Sequence, residues 1–65
     1  MIPTHSIEFE SGDILKDYGA GAYKSLSVAV LNDFLYVEIE HESHTKYKLF
    51  NTKYIKEVTL KGKNE

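Results

Sequence analysis

The 65-residue chain contains no cysteine, which excludes disulfide staples and thiolate metal clusters. Secreted domains of this size commonly rely on such cross-links, so their absence points to a reducing, cytoplasmic setting. Arginine is absent too, which removes the side chain best suited to bidentate phosphate and guanine contacts. Long apolar runs are missing: residues 28–31 and 34–37 are the longest, far short of the roughly 20 residues that a membrane helix needs. Residues 1–6 lead into Glu8, Glu10 and Asp13 rather than into the apolar stretch of a signal peptide. A soluble protein with no membrane partner is expected.

What is present suits one small domain spanning 1–65, with a frayed tail at 62–65 and neither an internal repeat nor a low-complexity tract. A chain this short buries only about 60% of the surface its unfolded form exposes. Its core must be small, and self-association as a homodimer is a ready source of extra burial. The net charge of -2 hides an asymmetry of -6 over residues 1–43 against +4 over residues 44–65. Such a split suits either a nucleic-acid surface or strands of opposite charge lying side by side.

Periodicity is clearest in the middle. Leu26, Val28 and Val30 share one face of a strand, and Leu35, Val37, Ile39 and His41 share one face of the next. Asn32 and Asp33 stand between them as a two-residue turn, since Asn and Asp tolerate positive φ. That turn pairs Val30 with Leu35, Val28 with Val37, Leu26 with Ile39, Ser27 with Glu38 and Ser25 with Glu40. A second hairpin turning over Ser43, His44 and Thr45 would set Glu42 against Lys46, Glu40 against Lys48, His41 against Tyr47 and Ile39 against Leu49, matching charges across strands. Asn51 and Thr52 suit another turn before a last strand through Val58 and Leu60, with Ile55 out of phase and signalling a tight turn or bulge. Ile7 and Phe9 alternate with Glu8 and Glu10 in a short first strand.

The expected fold is mainly all-β. It is a small antiparallel β-meander of four or five strands, either an SH3-like half-barrel or a covered open sheet, with at most one short helical turn near residues 12–18.

Candidate sites are few. HESHTKY, residues 41–47, brings two of the three histidines close in sequence, but zinc wants three or four ligands, and only His5 remains to join them. No metal or cofactor is expected. Ser43 with His41 or His44 lacks the rigid orienting group and oxyanion pocket of a nucleophilic site. Glu38, Glu40 and Glu42 read as one solvated face opposite lysines, so no enzyme activity is expected. Gly19 and Gly21 precede a strand rather than the helix a phosphate loop needs. The feature that stands out is apolar: Leu31, Phe34, Tyr36 and Phe50 project from the face opposite the main core, a candidate patch for a protein partner or a second copy. The alternative is that Ile7, Phe9, Ile14 and Leu15 fold over it as a second core layer. A rival function, RNA or single-stranded DNA binding, would use Lys46, Tyr47, Lys48, Lys53, Tyr54 and Lys56.

Overall fold

The computed structural model describes residues 1–17 and 25–62. Six strands follow in order: β1 (Ile2–Phe9), β2 (Ile14–Lys16), β3 (Ser25–Leu31), β4 (Phe34–Glu40), β5 (Thr45–Asn51) and β6 (Ile55–Leu60), with a 3-10 turn, Thr52–Tyr54, between the last two. The sheet order is β2-β1-β3-β4-β5, with β6 on β1. All pairs are antiparallel, and the sheet curls into a half-barrel. The expected all-β class holds, and the half-barrel is the form it takes. The room left for a helical turn near 12–18 goes instead to a β1–β2 hairpin, in which the Phe9 N–H donates to Asp13 O at 2.9 Å and the Gly12 N–H to Phe9 O at 2.9 Å. Gly12 sits at φ 97°, where a side chain would be strained. The glycine-rich stretch 18–24 and the tail 63–65 lie outside the described residues.

The β3–β4 register is the one that turn chemistry and alternation predict, from Ser25 opposite Glu40 to Leu31 opposite Phe34. Asn32 carries the positive φ, 55°, in the left-handed region that Asn enters more readily than most residues. Leu26, Val28, Leu35, Val37 and Ile39 are buried with Ile7 as the core. Val30 shares their face yet is 67% exposed, because β1 reaches only Ser27 and Val28 and leaves the far end of β3 uncovered.

The second hairpin differs from expectation. Glu40 pairs with Thr45 and Glu38 with Tyr47, while Tyr36 pairs with Leu49 and Leu35 with Phe50. The loop is His41–His44, closed by the His41 N–H on His44 O at 2.8 Å. The slip is an odd number of residues, so every β5 side chain changes face. Phe50 turns inward and packs on Phe9, with ring centroids 4.9 Å apart, while Tyr47 and Leu49 turn outward. The predicted ion pairs would each contribute only about 0.2–1 kcal/mol in water, less than an inward phenylalanine gains from burial and ring contact. The end of β5 is also pinned: the Thr52 N–H donates to Asp33 O at 2.8 Å, and the Asn51 side chain accepts from the Lys53 N–H at 3.0 Å.

β1 is longer than its sequence signal and closes the fold by pairing with β3, β2 and β6. An extra residue at His5 shifts its register against β6. Thr4 and Ile7, three apart, can thus both point inward, as a bulge permits. Thr4 donates its hydroxyl to Ile2 O at 2.9 Å, satisfying a group that is otherwise fully buried. On β6 a second shift lies beside Lys56, and through it Ile55 and Val58 both reach the core.

Candidate functional site

Two faces result from this curl. The inner one holds the core, with Phe9, Leu15, Phe50, Ile55 and Val58 packed around it. Ile7, Phe9 and Leu15 therefore do not cover the outer face as a second layer, and Ile14 lines a cleft instead. The outer face of β3, β4 and β5 is built in rows: Leu31, Phe34 and Asn51, then Ala29, Tyr36 and Leu49, then Ser27, Glu38 and Tyr47. Leu31 is 51% exposed, Phe34 41%, and Tyr47 and Leu49 56% each. The Tyr36 and Tyr47 rings stack at 5.7 Å with 10° between planes. One end of the patch is polar, where the Ser25 hydroxyl donates to Glu40 at 2.8 Å.

Three of the four expected patch residues, Leu31, Phe34 and Tyr36, are thus brought together. Phe50 is not among them, since it faces inward; Leu49 and Tyr47 take its place. The Tyr47 phenol is pushed above its ordinary value, first by its hydrogen bond with the Glu38 side chain and then by the Glu38 charge. The glutamate favours the neutral phenol that can donate to it.

The residues of the nucleic-acid alternative do not converge. Lys46 and Lys48 share the inward side of β5 while Tyr47 lies on the other. Lys53 sits over the Tyr54 ring, 5.1 Å from its centroid, and Lys56 pairs with Glu8 at 3.8 Å.

His41 does not face Tyr47, because β4 ends at Glu40. It stacks instead on His44, with ring centroids 4.5 Å apart, and the Ser43 hydroxyl lies 3.0 Å from His44 Nδ1. Among the described residues no group of three or more His, Asp or Glu side chains is placed to hold a metal ion.

Two further features escaped the sequence. A cleft of about 420 Å³ opens beside β5, with Phe9, Ile14, Leu15, Phe50 and Tyr54 as apolar walls and Ser11, Asp13 and Lys48 as polar groups. Elsewhere Asp17, its side chain only 6% exposed, accepts Lys61 Nζ at 2.6 Å and lies 3.3 Å from His5 Nδ1. That carboxylate ties the end of β2 to β1 and to the residue after β6. Nothing local in the sequence marks it, because its partners are distant along the chain.

No family model matches the chain, and neither a curated protein nor a solved structure matches it. No helix among the described residues is long and apolar enough to cross a membrane.

Proposed function

We propose that the chain is a non-enzymatic protein-interaction module whose contact surface is the outer face of β3, β4 and β5. The observation that carries this reading is the contiguity of Leu31, Phe34, Tyr36, Tyr47 and Leu49 across three strands, with four of the five substantially exposed. Monomers tolerate scattered exposed apolar residues, but a contiguous aromatic and aliphatic patch with a charged rim has the make-up of the energetic centre of an interface. A rigid sheet presents these side chains with little ordering left to occur on binding. RNA or single-stranded DNA binding is the weaker reading, because the basic and aromatic groups it requires are divided between faces.

The test is a photo-crosslinking residue placed at Leu31 and, as a control on another strand, at Lys56. The Leu31 position is expected to give a discrete protein adduct, competed away by the unlabelled wild-type chain but not by a Phe34→Ser/Leu49→Ser variant that keeps its folded spectrum. Equal adducts at both positions, or unfolding of the double variant, would overturn the assignment. Adduct mass separates a different protein from a second 7.5 kDa copy.

A further inference from the structure

Among the described residues the strand β5 is bonded to β4 alone, and its other edge runs open for seven residues without a register shift. The other edges are poorer templates: β2 has three residues, the far end of β3 left uncovered by β1 is three residues beyond Val28, and the pairing of β6 with β1 shifts register twice. An open, regular edge invites a further strand. Its side chains specify which one. Lys46 and Lys48 project two residues apart on the inward side, both exposed, and neither makes an ion pair among the described residues. Tyr47 and Leu49 project outward. A second copy pairing edge to edge in the register that uses the whole strand would set Lys48 against Lys48, and like charges directly opposite are destabilising.

We infer that the β5 edge captures an extended acidic segment of a partner protein, with carboxylates at alternate positions meeting Lys46 and Lys48 and apolar residues between them lying beside Tyr47 and Leu49. This rests on the reading of the chain as an interaction module and names the chemistry of its partner. Main-chain hydrogen bonds supply the attachment, and the alternating side chains supply the selectivity. The added strand extends the outer face by another line of residues, and a side chain placed beside Phe50 would lie at the mouth of the cleft that Lys48 and Phe50 help to line.

A nine-residue peptide alternating valine and glutamate, with alternating valine and lysine as control, tests this when titrated into the full-length ¹⁵N-labelled protein. Amides of Thr45–Asn51 are expected to shift and gain exchange protection, with the glutamate peptide binding about tenfold or more tighter than the lysine peptide, given two cross-strand pairs that change sign. A Lys46→Glu/Lys48→Glu variant, its fold checked by unchanged Val37 and Ile39 methyl signals, should reverse that preference. An unreversed preference, perturbation confined to the cleft or the outer face, or a free protein already dimeric with protected β5 amides would overturn the inference. Failed peptide capture with intact Leu31 cross-linking removes the edge assignment and spares the module. Intact capture with failed cross-linking does the opposite to the outer face.

Discussion

Truncating Phe50 and its neighbour Leu49 to alanine, one at a time, should give very different losses of stability. A fully buried phenylalanine costs about 3–5 kcal/mol to truncate. Phe50 is only half-buried, so a reduced burial contribution remains, and contact with Phe9 at 4.9 Å adds about 0.5–1.5 kcal/mol. The expected loss is roughly 2–3 kcal/mol. Leu49 is 56% exposed on the outer face, and its truncation should stay within about 0.5 kcal/mol. At about 0.05–0.15 kcal/mol per residue, the fold as a whole is held by roughly 3–10 kcal/mol. Phe50→Ala therefore removes a large share of it. Urea unfolding followed by circular dichroism reads this directly: with a slope near 1 kcal/mol/M, the Phe50→Ala midpoint falls by about 2–3 M, while that of Leu49→Ala stays within about 0.5 M. Equal losses, or a larger one at Leu49, would mean that β5 presents its other side to the core and that the outer face is wrongly composed.

Other perturbations probe separate parts of the account. Lys61→Met leaves the Asp17 carboxylate, 6% exposed, with only His5 beside it among the described residues and should cost about 3 kcal/mol, whereas Asp17→Asn leaves Lys61 and His5, whose side chains both reach water, and should cost about 1 kcal/mol; equal thermal destabilisation would contradict the asymmetry. Because the folded Tyr47 phenol titrates above 10.0, its interaction with Glu38 is fully present below the unfolded value and is lost as pH rises through the raised one. Glu38→Gln should bring the Tyr47 titration, followed by ring NMR signals, back toward its ordinary value, and an unchanged titration would remove Glu38 as the cause. At the turn, where Asn32 holds φ 55°, glycine should be tolerated within about 0.5 kcal/mol while valine costs about 1–2 kcal/mol, measured by urea midpoint; comparable losses would contradict a left-handed requirement.

The β3–β4 hairpin was legible because two independent signals agree there: strict alternation and an Asn-Asp turn that permits one register. The Thr45–Asn51 segment offered no such agreement. Its two sides carry Tyr47 and Leu49 or Lys46, Lys48 and Phe50, so either can be brought inward, and matching exposed charges selected the wrong one. The deciding contact, Phe50 on Phe9, depends on where β1 lies, which local pattern does not encode. The same limit explains Val30, whose alternation is correct but whose burial depends on how far β1 extends. It explains Asp17 as well, since its partners His5 and Lys61 meet only after β1, β2 and β6 have assembled. Most of the outer patch was nevertheless visible, because Leu31, Phe34 and Tyr36 belong to the hairpin whose register the sequence determines.

The most direct measurement is the relaxation enhancement of aromatic protons by a soluble gadolinium chelate in the free protein. Phe34 and Tyr47 should relax strongly while Phe9 and Phe50 stay shielded. Shielded Phe34 and Tyr47 beside an exposed Phe50 would contradict the outer face from which the function is argued.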